Sequence, residues 1–272
     1  MKLVFYIKSK IPRKVAFYLR KIISEFEYIP YTKYRKKIFS QQKKAGINSI
    51  PIFIISYNRL EYLDKMINRL EQMGKKNIVI IDNASTYAPL LEYYKKISYK
   101  VIRLKENGGH MVFWNNSVFE KYRRRFYIVS DPDIVPIDEC PEDFIEYFFK
   151  YLEKYPFVRK VGFSLKIDDI PEKSIFRDEL LKWEKKYNKP LVEKGKLYYA
   201  DIDTTFALYV PDQLVYSQPF CRAFRTSYPY QARHLPWYKT SDMITDEDVF
   251  YSQHKKNGWW DVARGTVTPD NK

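Results

Sequence analysis

Asp131 and Asp133 stand one residue apart around Pro132, where the apolar run Phe126-Tyr127-Ile128-Val129 gives way to polar residues. Two hard oxygen donors at that spacing, with the proline fixing φ, suit a divalent cation such as Mg²⁺ or Mn²⁺. The same tripeptide also makes a plain polar turn, so its meaning depends on what surrounds it. Three further polar loops do: Ser56-Tyr57-Asn58-Arg59, Asp82-Asn83-Ala84-Ser85-Thr86 and Glu106-Asn107-Gly108-Gly109. Polar side chains around a base and ribose, with backbone donors and a cation at the phosphates, are what a nucleotide diphosphate needs. Neither a P-loop nor a dinucleotide glycine fingerprint is present, which disfavours those two ways of holding phosphate.

Each loop needs a strand to deliver it. Pro51–Ser56, Ile78–Ile81, Lys100–Leu104 and Phe126–Ser130 are short apolar runs of the kind buried in a parallel sheet. Between them Leu60–Met73, stopped by Gly74, then Pro89–Lys96 and His110–Arg124 are predicted helices. This alternation predicts an α/β fold with a mostly parallel twisted sheet flanked by helices, and ligands collect beyond the carboxyl ends of such strands. Further along, Pro141–Tyr155 and Ser174–Tyr187 read as helices and Lys160–Leu165 as a strand. Leu197–Asp201 and Thr205–Val210 read as a mixed or antiparallel addition. Residues 211–241, with Pro219, Pro229 and Pro236, read as a long irregular loop. Thr245–Asn257 is a predicted helix stopped at Gly258, and Trp259–Ala263 a short last strand.

The chain has 272 residues, 45% hydrophobic and 30% charged, which is too apolar for disorder and long enough for a large core. Its 25 tyrosines suit carbohydrate-facing or interfacial surfaces, and equally an AT-rich coding bias. Two cysteines, Cys140 and Cys221, give no disulfide framework and point to a reducing compartment. Leu3–Ile7 is too short for a secretory core, and no apolar run approaches the roughly 20 residues of a spanning helix. The net charge of +15 is uneven: through Lys44, thirteen lysines and arginines face only Glu25 and Glu27, leaving the remainder nearly balanced. Residues 1–48 therefore read as a basic appendage and 49–272 as the main domain. Val15, Phe17, Leu19, Ile22, Ile23 and Phe26 recur at helical spacing among Arg13, Lys14, Arg20 and Lys21. Such a helix can lie on an anionic membrane surface, or pack on the main domain or a second copy. The expected location is cytoplasmic, peripheral on the inner face of the membrane. No nucleic-acid module is recognisable, so nucleic acid is not an expected partner.

Taken in order, these motifs resemble the inverting glycosyltransferases of family 2 and their GT-A fold. Ile54-Ile55-Ser56-Tyr57-Asn58-Arg59 looks like the family's opening strand and TYNR turn, and Val79-Ile80-Ile81-Asp82-Asn83-Ala84-Ser85 like its VVDNGS strand. Asn107-Gly108-Gly109 resembles the NxG loop, and Ser130-Asp131-Pro132-Asp133 the DxD metal motif. Thr204–Tyr209 is similar to the acceptor-side strand, and Thr245-Asp246-Glu247-Asp248 to the xED segment. The likeness runs from about residue 51 to 263, with a nucleotide-binding half at 49–135 and an acceptor half at 136–272.

The resemblance implies a metal-dependent sugar transfer. Asp133 would be the direct ligand of Mn²⁺ or Mg²⁺, and Asp131 would touch the ribose or reach the metal through water. Asp82 and Asn83 would hold the base; Ser56, Tyr57, Asn58 and Arg59 the nucleoside. Asn107, Gly108 and Gly109, with His110 and Trp114, would line the donor pocket. Asp248, with Glu247 second, would take the acceptor hydroxyl proton as that oxygen attacks the anomeric carbon from the opposite face. Thr245-x-x-Asp248 is equally a capping box opening a helix. The implied donor is a UDP-sugar and the acceptor a saccharide or lipid-linked glycan. One departure stands out: the family's late histidine has no counterpart after His254, whereas His234 lies upstream and could be a metal or diphosphate ligand. Asp203, Trp237 and Tyr238 are candidate acceptor contacts, with Trp259 and Trp260 as further stacking faces. A sugar-1-phosphate nucleotidyltransferase is the rival enzyme, though Ser56–Arg59 lacks the glycines of that class. A non-catalytic glycan-binding or membrane-surface scaffold is the rival outside enzymology.

Overall fold

A computed structural model describes residues 12–27, 32–187, 191–193, 195–202, 205–214, 223–255 and 260–267. Strands β1 (Ile52–Ser56), β2 (Ile78–Asp82), β3 (Lys100–Arg103) and β4 (Tyr127–Ser130) pair in parallel in the order β3-β2-β1-β4. Their crossovers carry α3 (Leu60–Gln72), α4 (Ala88–Tyr94) and the short turns α5 (Val112–Asn115) and α6 (Glu120–Arg123), following α1 (Arg13–Glu27) and α2 (Thr32–Ala45) at the start of the chain. The runs are apolar because both faces of the sheet are covered. Ile52 and Ile54 join one core cluster while Phe53 and Ile55 join the cluster on the opposite face.

Beyond β4 the sheet continues through β9 (Ala207–Tyr209), β6 (Lys160–Leu165), β10 (Ala223–His234), β8 (Leu197–Tyr199) and β7 (Leu191–Val192), with β5 (Ile134–Pro136) against β10. β9 runs antiparallel between β4 and β6, so the expected antiparallel addition is there, inserted within the sheet. Helices α7 (Phe144–Lys154), α8 (Arg177–Glu184) and α9 (Asp246–His254) complete the order, and β11 (Trp260–Asp261) forms a separate hairpin with β12 (Thr266–Val267). The architecture is a GT-A-like α/β fold with a mostly parallel central sheet.

Two expectations need correction. The predicted long loop over 211–241 contains the twelve-residue β10, which runs parallel beside β6. Pro229 concealed it; the register with β6 jumps between Thr226 and Gln231, so the proline sits where no ladder N–H is required. The helix predicted over His110–Arg124 is broken, because Asn116 is extended (φ −96°, ψ 126°) and its side chain accepts from Val118 N instead of continuing the turn. The expected short last strand is present as β11, paired with β12 outside the main sheet. Gly258, Trp259 and Cys221 lie outside the described residues; Cys140 is buried and unbridged.

Helix α2 is docked on the core: Phe39 stacks edge-on with Phe126 and tilts against Phe149, and Arg35 donates to the Leu152 carbonyl. The tightest backbone approach is at Gly162 of β6, where an added Cβ would lie 2.3 Å from Phe206 O and 2.7 Å from the Ala207 Cβ. One is a backbone oxygen at the entry to β9 and the other the Cβ of its first residue, and neither can swing aside. Gly162→Ala is therefore expected to cost about 3 kcal/mol, the upper range for overpacking a filled core. Chemical denaturation checks this; a cost below about 1 kcal/mol would mean that β9 yields.

Candidate active site

The four loops meet at the carboxyl edge of β1 to β4, and their side chains first hold one another. Asn58 has φ 52°, a left-handed conformation that asparagine tolerates. Its backbone N–H donates to Ser85 Oγ at 2.9 Å, and its Oδ1 accepts from Thr86 N at 2.8 Å and Tyr87 N at 3.0 Å. Asn83 does the same for the glycine loop. Its Nδ2 donates to Asn107 Oδ1 (2.9 Å) and Gly109 O (3.1 Å), and its Oδ1 accepts from Gly108 N (2.9 Å). Gly109 has φ +73°, and a Cβ on Gly108 would meet Val112 Cγ2 at 2.7 Å, so both glycines are needed for the turn. Asp82 is fully buried: Oδ2 accepts from Arg103 Nε at 3.0 Å and Oδ1 from Ser85 N at 3.2 Å. A recess of about 340 Å³ beside this loop is lined by Glu106, Gly108, Val112, Asn115, Asn116 and Ser117. Trp114 belongs to the fringe of the core instead, donating from Nε1 to Tyr127 OH at 3.3 Å. His110 is exposed.

At the end of β4, Ser130 Oγ donates to the Asp131 carbonyl, and both aspartates are half-buried. The Asp133 carbonyl accepts from Leu235 N at 2.9 Å, which ties this loop to the end of β10. That brings His234 Nε2 to 3.5 Å from Asp133 Oδ2. Burial alone would raise the Asp133 pKa, but His234, then Arg59 and the backbone hold it below the usual aspartate value. Asp133 Oδ1, His234 Nδ1 and Trp237 Nε1 are all buried with no hydrogen-bond partner among the described residues. Trp237 packs its ring edge-on against His234, with 4.6 Å between centroids. A buried carboxylate oxygen that no donor satisfies costs free energy, and a ligand at that point would remove the cost.

The second cluster is built around Arg59, which is 5% exposed. Arg59 Nη1 donates to Asp248 Oδ1 at 2.6 Å, and its guanidinium lies 3.8 Å above the Tyr251 ring and 4.9 Å above Tyr62. Lys239 Nζ donates to Asp248 Oδ2 at 2.6 Å and also lies 3.3 Å from Glu61 Oε2. Asp248 Oδ2 further accepts from Thr245 N and Oγ1, each at 3.0 Å, and Thr245 Oγ1 in turn accepts from Asp248 N, which completes the capping box. Both Asp248 oxygens are therefore engaged. Burial pushes the Asp248 pKa up, but Lys239, Thr245 and Arg59 together carry it below the ordinary value. Glu247 is turned the other way: it accepts from Leu60 N at 2.8 Å and Glu61 N at 3.0 Å, capping α3, and burial holds its pKa up. Tyr57 OH donates to the His254 carbonyl at 2.9 Å, joining the first loop to α9. The two clusters are neighbours, because Arg59 acts electrostatically on both Asp133 and Asp248.

The model of the family described as glycosyl transferase family 2 matches residues 52–212, more than half of the chain. The chain belongs to glycosyl transferase family 2. As a member it is a nucleotide-sugar-utilising transferase. No curated protein matches it. Among solved structures it is similar to a 4-diphosphocytidyl-2C-methyl-D-erythritol synthase from Anaerococcus prevotii DSM 20548, at 10% identity and a TM-score of 0.34, covering 76% of this chain and 96% of that one.

For a family 2 transferase, the residues brought together are Asp131, Asp133, His234 and Trp237 on one side and Arg59, Glu247 and Asp248 on the other. Tyr238 faces elsewhere: its hydroxyl lies 2.8 Å from Lys166 O and 2.7 Å from Asp169 Oδ1, to either of which its single hydrogen can donate. Asp203 lies outside the described residues. Among the described residues no group of three or more His, Cys, Asp and Glu side chains is gathered as a metal cluster. Two side chains of these clusters escaped the sequence. Lys239 sits in an irregular stretch where no spacing marks it. Arg103 could have been found, because it is the cross-strand partner of Asp82 once β2 and β3 are paired in register.

Proposed function

We propose that this chain transfers a sugar from a nucleotide-diphosphate donor, with UDP favoured, to a saccharide or lipid-linked glycan, inverting the anomeric centre. The observation that carries the reading is the unpartnered, buried Asp133 Oδ1 beside His234 at the carboxyl edge of the sheet. Carboxylate oxygens suit Mn²⁺ or Mg²⁺, and an imidazole nitrogen beside them favours Mn²⁺ of the two, so the residues fit a divalent cation, with Asp131 close at hand. Such a cation supplies Lewis acidity against the charge that develops on the leaving diphosphate.

The chain's own groups do the rest. The loop fixed by Asn58, Asp82 and Asn83 receives the nucleoside, and Gly108 and Gly109 let the backbone approach it closely. Arg59 is the cation that an incoming diphosphate competes for. When Arg59 turns toward the donor, Asp248 Oδ1 loses its partner while Lys239 and Thr245 still hold Oδ2 in place. The freed oxygen then accepts the proton of the acceptor hydroxyl, and the resulting nucleophile displaces the nucleotide from the opposite face. Releasing one strong hydrogen bond raises the basicity of a carboxylate otherwise held too acidic for the task. Trp237 is buried behind His234 and so backs the imidazole instead of offering the stacking face expected of it, and Glu247 keeps the start of α3 in place beneath Arg59.

Thermal unfolding with UDP, with Mn²⁺, and with both tests this directly. At ligand near 100 times Kd the linked stabilisation is about 2.7 kcal/mol, or roughly 5–10 °C for a domain of this size. The full shift is expected only with both present. No shift with any nucleotide and metal would sink the proposal. Stabilisation and pyrophosphate release with UTP plus a sugar 1-phosphate, but none with UDP-sugars, would favour a nucleotidyltransferase.

A further inference from the structure

Helix α1 is attached to the protein by the side opposite its apolar stripe. Phe17 is buried to 2% exposure, with its ring 5.8 Å from Tyr155, 5.7 Å from Tyr199 and 5.9 Å from Phe224. Val15, Tyr18, Leu19, Ile22 and Ile23 recur at three- and four-residue spacing and so share one face. At 100° per residue that face lies roughly half a turn round the helix from Phe17. All five are exposed, from 42% at Ile23 to 56% at Ile22. A helix that merely covers the body turns its apolar stripe inward and its charges outward; this one turns the stripe outward and leaves Lys14 and Lys21 exposed as well. Phe17 and His234 also touch opposite ends of β10, so covering the stripe leaves the candidate site open.

Charge decides what covers it. Lys14 is exposed on α1, and Lys33, Lys36 and Lys37 are exposed on α2. The first acidic residue of the chain is Glu25, and the segment through Lys44 holds thirteen of the cationic side chains. Pairing the stripe with a second copy would bring two such segments together and set like charges against each other. An anionic lipid surface answers both features at once, with headgroups for the lysines and an acyl boundary for the stripe. No helix among the described residues is long and apolar enough to cross a membrane, so the helix lies in the plane. We propose that the solvent-facing stripe of α1, flanked by the lysines of α1 and α2, seats the protein on an anionic bilayer. The proposal is independent of the transfer chemistry.

The test is co-sedimentation of the full chain with phosphatidylcholine vesicles, with and without a third phosphatidylglycerol. Wild type is expected to bind the anionic vesicles at least about tenfold more strongly than the neutral ones, less so as salt is raised. The double variant Leu19→Glu, Ile22→Glu should lose about tenfold or more of that binding, since both side chains leave the acyl boundary. Both are exposed, so its melting temperature should match wild type. Lys14→Glu with Lys36→Glu, which spares the stripe, should lose the preference for phosphatidylglycerol. Wild type that stays in the supernatant, or a stripe variant that pellets like wild type, overturns the proposal. So does a wild-type dimer that the stripe variant converts to monomer, because a second copy would then be the cover.

Discussion

Asp133→Ala is expected to lower kcat/KM by about 10³ while leaving the melting temperature within about 2 °C of wild type. The two halves of that result come from one geometry. The carboxylate loses a 3.5 Å pairing with His234 and the weaker attraction of Arg59, and its removal relieves a buried oxygen that has no partner. A lost weak ion pair and a relieved desolvation cost oppose each other, each about 1 kcal/mol, so stability barely moves. Catalysis has no such compensation, because a group that neutralises a leaving diphosphate acts only where charge develops. UDP release from a panel of UDP-sugars gives the rate, and the thermal response to UDP with Mn²⁺ gives the binding. The metal-dependent part of that response should vanish. Asp133→Asn, which keeps the shape, should behave almost as badly. A variant that turns over within threefold of wild type would make Asp131-Pro132-Asp133 an ordinary turn.

Such a site was legible in the sequence where strand and loop are contiguous. Apolar runs of four to six residues, each ending in a polar loop, gave β1 to β4 and their parallel sense but not their order in the sheet, because a strand buried on both faces has few ways to be written. What failed was pairing across distance. β10 carries Arg225, Thr226, Ser227 and Gln231 in a run interrupted by Pro229, and neither alternation nor length marks it as a strand. Its place is set by β6 on one side and β8 on the other, a tertiary fact that outweighs local propensity. The expected helix over His110–Arg124 failed for the opposite reason, since a local side-chain cap at Asn116 competed with a helical pattern that was otherwise sound.

The missed strand is also why the site could be only half read. Asp133 and Asp248 announced themselves as acids at strand and helix ends, but their neighbours arrive through β10 and the stretch after it. His234 reaches Asp133 because β10 runs parallel to β6 and ends at the same edge as β4, and Lys239 follows a few residues later. Residues that looked like ligand contacts also proved to hold their own loops. Asn58 and Asn83 spend their side chains on neighbouring backbone, so their contribution to binding would be the shape of the loop more than a direct contact. A motif marks where a loop matters without saying which of its atoms face outward.

Asp248 carries the second large expectation. Asp248→Ala should cost about 3–5 kcal/mol, because it strands the buried Arg59 cation without its carboxylate and leaves Lys239 only the 3.3 Å contact with Glu61. The asparagine variant keeps the volume and part of the cap and should cost less, about 2–3 kcal/mol. The sign with pH follows from the direction of the shift. Asp248 is held below its ordinary value of about 3.9, so its stabilisation is complete above that pH and is lost as pH falls through the lower folded value. The stability gap between wild type and Asp248→Asn should therefore stay constant from about pH 7 to 5 and narrow only below about pH 4. Combining Asp248→Leu with Arg59→Met should cost less than the two single changes added together, because the pair would then be absent from both sides. Activity separates the roles, since folded Asp248→Asn, assayed well below its melting temperature, should still bind UDP yet lose about 10²–10⁴ in turnover. Full stability in Asp248→Asn would refute the clamp, whereas a destabilised variant with normal turnover would leave the clamp standing and remove Asp248 as the base.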